Sequence, residues 1–247
     1  MYALTGVTRT YRKGRQTVTA LAGVDAVIGD REWLAIQGPT GQGKTTLLQL
    51  LGGLDRPTTG TILLDGKDLG AMNEAEITRL RAASIGFIFQ TFNLIPTLPA
   101  AVNVELALAP MRLGAAERHA RVAKALEAVG LSDRAGHLPA ELSGGQQQRV
   151  AVARALVKEP TVLLADEPTG NLDETTRDEI IDLLAELVRE RGLTLVMVTH
   201  DSAVAARAER IGQMRDGRLL FDDASAVGDA GAARGGGAAA HHGDGQR

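Results

Sequence analysis

Eight residues, Gly38-Pro39-Thr40-Gly41-Gln42-Gly43-Lys44-Thr45, follow the spacing G-x-x-x-x-G-K-[ST], a pattern suited to holding a string of phosphates. Glycines at 38, 41 and 43 let the backbone curl so that successive N–H groups point inward. The N-terminus of a following helix adds roughly half a positive charge at the same place. Lys44 then reaches the β- and γ-phosphates, where a unit charge pair about 4 Å apart at an effective dielectric near 20 is worth roughly 4 kcal/mol before desolvation. Thr45 offers its hydroxyl to Mg²⁺, and Pro39 and Thr46 complete the stretch expected to touch nucleotide. Thr40 and Gln42 are expected to contribute mainly backbone. Two adjacent acids, Asp166-Glu167, stand at the end of an apolar run before Pro168, and Gln90 and His200 close two further apolar runs. Ser143-Gly144-Gly145-Gln146 opens a helix and offers a second set of anion-binding N–H groups.

The elements that must position these residues are legible in outline. Trp33-Leu34-Ala35-Ile36 reads as a strand entering the phosphate loop, and Thr46-Leu47-Leu48-Gln49-Leu50-Leu51 as the helix leaving it. Residues 2–9 and 17–28 alternate as antiparallel strands of an N-terminal layer, with Gly14 and Gly29 as breaks and Tyr11 as a half-buried loop aromatic between them. Residues 60–69 read as a hairpin turning on Asp65-Gly66, and Asn73 with Glu76 as a helix cap. Ile85–Gln90 is a buried strand, and Thr91–Pro110 a proline-broken loop with short helical pieces. Its apolar residues Phe92, Leu94, Ile95 and Leu98 either pack inward or form a docking surface. Helices are expected over 116–129 and 146–157, a strand over 161–165, a helix over 176–191 and a strand over 194–199. Alternating strands and helices of this kind imply an α/β fold with a mainly parallel sheet.

Composition narrows the classes. The chain has 247 residues, 44% of them hydrophobic, which is ample for a core, and a formal charge of −3 gives no overall basic field for nucleic acid. Without a cysteine it has no disulfide framework, thiolate metal site or thiol nucleophile, which is compatible with the cytosol. No apolar run approaches the 18 or so residues of a membrane span, so the chain is expected to be soluble. From Asp223 onward Ala, Gly and small polar residues take over, and 225–247 is expected to be a disordered tail whose His241-His242 is a solvated pair.

Taken together, the phosphate loop, Gln90, Leu142-Ser143-Gly144-Gly145-Gln146, Leu163-Leu164-Ala165-Asp166-Glu167-Pro168 and His200 resemble the motifs of the ATP-binding cassette ATPases, in the family's order. The resemblance runs from about residue 2 to 222. Phe92–Leu98, Asn103–Leu106 and Ala165–Asp173 are similar to the subgroup that powers macrolide export and lipoprotein release, with a cell-division ATPase as a near relative. It implies a nucleotide-binding domain over 1–224, made of a P-loop NTPase core, an N-terminal antiparallel β subdomain and a helical signature subdomain over about 91–157.

The resemblance also implies roles. Asp166, Thr45 and Gln90 would hold Mg²⁺, Glu167 would orient or deprotonate the attacking water, and His200 would reach the γ-phosphate. Tyr11 would stack on adenine, and Asp173 would cross a dimer interface. Ser143, Gly144 and Gly145 of one subunit would close over the γ-phosphate held by another, so that two ATPs lie between two head-to-tail copies. A separate transmembrane partner would dock near 91–110, placing the chain on the cytoplasmic side of a membrane. Force transmission without cargo is the alternative. A soluble ATPase of DNA repair or of ribosomes is a further one, but such chains carry a long coiled coil or tandem cassettes, and no nucleic-acid partner is expected.

Overall fold

The computed structural model describes residues 1–14 and 16–221, and the expected tail lies outside the described residues. Two sheets organise the chain. The first is antiparallel, in the order β2-β1-β4-β5, with β1 over Tyr2–Lys13, β2 over Gln16–Ile28, β4 over Thr59–Leu64 and β5 over Lys67–Asp68. β4 and β5 form the expected hairpin, whose Asp65 and Gly66 both take the positive φ of a type I′ turn (50° and 76°). Its partner was not legible locally: β4 pairs along β1, from Tyr2↔Leu64 to Thr8↔Thr59, so the hairpin joins the N-terminal layer. Tyr11 is not in a loop. It pairs with Val18 inside the β1–β2 ladder, because register shifts absorb the irregular spacing and the strand continues to Lys13.

The second sheet runs β10-β9-β3-β8-β7-β6. β3 is Trp33–Gln37, β6 Ile85–Phe89, β7 Val162–Asp166, β8 Thr194–Val198, β9 Arg210–Arg215 and β10 Arg218–Phe221. Strands β9, β3, β8, β7 and β6 are parallel, while β10 turns back antiparallel on β9. Both faces are covered, which is why β7 and β8 are apolar without alternation. Leu163, Ala165, Leu195 and Met197 face the helical side, and Val162, Leu164, Val196 and Val198 face the antiparallel sheet. Between the two sheets lies α1, Lys44–Leu51, whose Leu47, Leu48, Leu50 and Leu51 are buried there.

The remaining helices are α2 over Glu74–Ser84, α3 over Ala100–Glu105, α4 over Ala115–Glu127, α5 over Gly144–Leu156, α6 over Glu174–Arg191 and α7 over Ser202–Ala205. Asn73 caps α2 in a full capping box with Glu76, as its spacing predicts. Gly192 ends α6 at φ 61°. Helices α3 to α5 fall between β6 and β7. Of the four apolar residues in its first loop, Leu94 packs against the core, Ile95 is 41% exposed, and Phe92 and Leu98 are half-buried.

Candidate functional site

Four neighbouring parallel strands deliver the site at their carboxyl ends, where ligands bind in open α/β sheets. The phosphate loop leaves β3, Gln90 follows β6, Asp166 and Glu167 end β7, and His200 follows β8. They line one cleft of about 620 Å³ together with Pro39, Thr40, Gly41, Gly43, Lys44, Thr45, Thr46 and Ala20 of β2.

Close packing fixes the loop. A Cβ on Gly38, at φ 152°, would lie 2.4 Å from the Met214 carbonyl oxygen of β9, and one on Gly43, at φ 97°, 2.2 Å from that of Ala20. Glycine is therefore required at both positions by space as well as by dihedral. Gln42 does more than lend backbone: its side-chain oxygen accepts from the Asp216 N–H at 2.5 Å, tying the loop to the β9–β10 turn. Lys44 is buried, and its Nζ donates to the carbonyls of Gly38 and Pro39 at 2.7 and 3.0 Å, which bends the ammonium back over the loop.

Asp166 and Glu167 have different surroundings. Burial raises the Asp166 pKa above its ordinary value, the neighbouring Glu167 charge adds to this, and a 3.2 Å hydrogen bond from Thr45 Oγ1 with the charge of Lys44 opposes it. A half-buried carboxylate beside a hydroxyl suits a hard divalent cation, because Mg²⁺ is commonly held by one or two carboxylates with phosphates and waters completing its shell. Glu167 sits at φ 46°, a conformation that costs a non-glycine residue roughly 1–3 kcal/mol. Its N–H donates to Val198 O at 2.9 Å and its Oε2 meets His200 Nδ1 at 2.5 Å, so β8 fixes both its backbone and its carboxylate.

The other predicted residues assemble elsewhere. Ser143 caps α5, its hydroxyl accepting from the Gln146 N–H at 3.3 Å while Gln146 Oε1 accepts from the Ser143 N–H at 2.9 Å. This capping box leaves the N–H groups of Gly144 and Gly145 at the helix start. Asp173 caps α6, taking hydrogen bonds from Thr176 N (3.0 Å) and Thr176 Oγ1 (2.7 Å), and these hold its carboxyl below the ordinary carboxylate range. The two helix starts touch: a Cβ on Gly145 would lie 2.4 Å from the Thr176 methyl, and one on Gly144 3.4 Å from Leu172. None of Ser143, Gly144, Gly145, Gln146 or Asp173 lines the cleft.

Tyr11 does not line the cleft either. Its hydroxyl donates to Asp55 Oδ2 at 2.7 Å, and the Arg9 guanidinium lies 4.5 Å from its ring centre while pairing with Asp55 at 2.7 Å. Two residues the sequence did not single out also bear on the site. Asn171 donates to Gln90 O at 2.9 Å, and Arg154 grips the turn just after Gln90. Arg154 reads in the sequence as a cation in the last turn of a helix, which the helix dipole alone explains.

Residues 21–170 match the family described as ABC transporter. The ABC transporter ATP-binding protein YknY of Bacillus subtilis is 47% identical over 220 residues, covering 89% of this chain and 95% of its own length. The macrolide export ATP-binding/permease protein MacB 1/2 of Paracoccus denitrificans is 46% identical over 219 residues, and this chain spans only 33% of it. A solved dimer of the ATP-binding cassette MJ0796, in a post-hydrolysis state with ADP and Pi, superposes with a TM-score of 0.81 at 43% identity, covering 89% of this chain and 96% of the other.

Proposed function

The chain belongs to the ABC transporter family as an ATP-hydrolysing nucleotide-binding subunit, and from that premise we propose that it works as two half-sites shared between two head-to-tail copies. One observation carries the reading: the cleft with the phosphate loop and the cluster around Ser143 are separate in a single chain. Each looks incomplete alone. The cleft has acids, a lysine and a histidine but lacks a second set of helix N–H groups, and the Ser143 cluster has those groups without a phosphate loop. Two copies of opposite orientation supply both, and the solved MJ0796 cassette is a dimer with ADP and Pi bound, which supports the arrangement.

Within a completed site, Lys44 and the loop N–H groups hold the β- and γ-phosphates, and Tyr11 stacks on adenine with its ring anchored by Asp55. Mg²⁺ would be held by Thr45, Gln90 and Asp166 and would neutralise charge on the phosphates. Glu167 accepts the proton of the attacking water, and His200, already hydrogen-bonded to that carboxylate, turns with it toward the γ-phosphate. Asp173, at the start of α6 beside the Ser143 cluster, reaches across the interface. Loss of the γ-phosphate removes the contacts that hold the copies together.

The work is delivered to a separate membrane protein at the cytoplasmic face of the membrane. No helix among the described residues is long and apolar enough to cross a bilayer, and the MacB relatives carry ATP-binding and permease parts in one protein. Docking falls at 91–110, where Leu106 and Ile95 are 42% and 41% exposed and Val102, Leu106 and Ala109 line a groove of about 240 Å³ that Met111 and Arg118 help to close. Export of the macrolide-exporter or lipoprotein-release type is the leading role, with cargo-free force transmission to an extracytoplasmic enzyme as the alternative.

The test uses Glu167→Gln, which should bind ATP normally, lose turnover by about 10²–10⁴-fold and accumulate as an ATP-dependent dimer. Purified with ATP from detergent-solubilised native membranes, it should bring a polytopic or four-span membrane protein with it. An eluate of soluble partners or nucleic acid alone would sink the membrane role, and wild-type turnover would remove Glu167 as the base.

A further inference from the structure

We propose that Arg154 is a positioning residue for Gln90: it fastens the turn after Gln90 to α5, so that the cleft's glutamine and the Ser143 half-site of the same chain move as one body. The proposal rests on the reading of Gln90 as a metal-contacting residue. Arg154 stands in the last turn of α5, the helix that Ser143 caps. Its Nη1 donates to Asn93 O at 2.5 Å and its Nη2 to Phe92 O at 2.6 Å. A helix-end cation engaged with its own dipole would bond α5's carbonyls, whereas these acceptors lie 61 and 62 residues away in sequence.

Within the gripped turn Phe92 N donates to Phe89 O at 3.3 Å and Asn93 N to Thr91 O at 2.5 Å, and neither bond engages the Phe92 or Asn93 carbonyl. Phe92 and Asn93 have φ of 57° and 51°, two successive non-glycine residues in the left-handed region, and such backbone persists only where its surroundings over-determine it. A planar fork of donors matches two adjacent carbonyls, a geometry that a lysine ammonium cannot reproduce. Burial lowers the Arg154 pKa, so the guanidinium pays for its place in the fold and the two carbonyls are its compensation. On either side the segment is pinned to other elements. Asn171 holds the Gln90 carbonyl, the Gln90 side chain fills the space beside Gly170, and the fully buried Asn103 bonds Ile95 N together with the carbonyls of Ile95, Leu98 and Pro99. Arg154 is the member of this set that runs to the last turn of α5, while Asn171 ties Gln90 to the segment entering α6, whose Leu172 and Thr176 border Gly144 and Gly145, so the two links join Gln90 to opposite ends of α5.

Two measurements on the full chain test this. In hydrogen exchange without nucleotide, Arg154→Ala should speed exchange at residues 91–95 by about tenfold or more, and Arg154→Lys by less, with β7 and α6 unchanged. Unchanged protection at 91–95, or faster exchange spread evenly over the whole chain, overturns the clamp whatever Gln90 does. In ATPase assays across Mg²⁺ concentration, Arg154→Ala and Arg154→Lys should raise half-saturating Mg²⁺ several-fold, yet Arg154→Ala should change it by less than about twofold in a Gln90→Ala background. Equal effects in the two backgrounds overturn positioning through Gln90 and leave Arg154 a structural residue. A Gln90→Ala protein whose own Mg²⁺ response stays wild-type removes the metal reading of Gln90, and the exchange result then decides the clamp alone.

Discussion

Gly145→Ala separates the half-site account from any in which one chain holds a complete site. The new Cβ would lie 2.4 Å from Thr176 Cγ2, against the ~3.5–4.0 Å at which carbon atoms rest, so one of the two must move by more than about 1 Å. Thr176 cannot rotate its methyl away freely, because its Oγ1 donates to Asp173 at 2.7 Å and the backbone cap of α6 runs through the same pair. Overpacking of this size costs about 1–3 kcal/mol, and the helix preference for alanine returns at most ~1 kcal/mol, so the protein folds with its two helix starts pushed apart. A misplacement near 1 Å lowers turnover by about a hundredfold. ATP affinity of the isolated chain should stay within about twofold of wild type, since Gly145 does not line the cleft. Thr176→Ser supplies the control: it deletes the offending methyl, keeps the hydroxyl on Asp173, leaves the next neighbour, Thr176 Cβ, at 3.8 Å, and should restore turnover to Gly145→Ala. Calorimetry with ATP and steady-state phosphate release on the single and double variants decide the matter. Lost ATP binding in Gly145→Ala, or a double variant as inactive as the single, would refute the reasoning.

Lys44→Ala should weaken ATP binding about a hundredfold, roughly 3 kcal/mol, and lower the urea midpoint because the Gly38 and Pro39 carbonyls lose their donor; undiminished affinity by calorimetry counts against the phosphate loop. Lys158 gives a pH signature: burial, with the nearby Arg81 charge, lowers its pKa from 10.5 to about 8 while its Nζ donates to Arg81 O. Between those values the unfolded chain keeps a proton that the folded chain has released, so stability rises with pH across the window, by at most about 3 kcal/mol. Lys158→Met should abolish that rise in urea melts at pH 8 and 10, and the difference between the two proteins cancels the opposite slope expected from the buried Tyr2 hydroxyl. Identical pH profiles for the two proteins would show that Lys158 is not the source.

What was legible in the sequence was what short-range chemistry encodes. Glycine spacing gave the phosphate loop, unbroken apolar runs gave β3, β7 and β8, and Asp65-Gly66 and Asn73 with Glu76 gave a turn and a cap. Asp166, Glu167, Gln90 and His200 each close such a run, their roles were read from the resemblance to the ATP-binding cassette ATPases, and the ends of adjacent parallel strands bring them together. Most misses are long-range: nothing near residue 60 says that its hairpin will extend β1. The miss at Tyr11 is local, because Val18 lies close along the chain and register shifts in the β1–β2 ladder break the alternation that would reveal the pair. Strands β9 and β10 went unread because arginines at 210, 215 and 218 break the apolar pattern, and their place is set by pairing with β3 and by Gly217 O accepting from Ala22 N. The partners of Gln42 and Arg154 lie 174 and about 60 residues away, and a side chain's charge or amide names no acceptor at that distance.

The way the site is held also dictates how its rate depends on concentration. Glu167 is bonded to His200 through its carboxylate and to β8 through its N–H, and Asp166 and Thr45 bridge β7 to α1, so one chain gathers the proposed base and two of the proposed cation ligands. In the half-site reading, what a single chain lacks in the cleft is the pair of glycine N–H groups above Ser143, which stand beside Leu172 and Thr176 and line no part of it. The half-site proposal then requires binding to be complete in the monomer and hydrolysis to need the dimer. Below the dissociation constant of the ATP-bound dimer, phosphate release per unit volume should rise with the square of protein concentration, with ATP affinity unchanged over the same range. A first-order dependence down to concentrations where sedimentation finds only monomer would mean that one chain hydrolyses ATP unaided, and the division of labour inferred from the two clusters would be wrong.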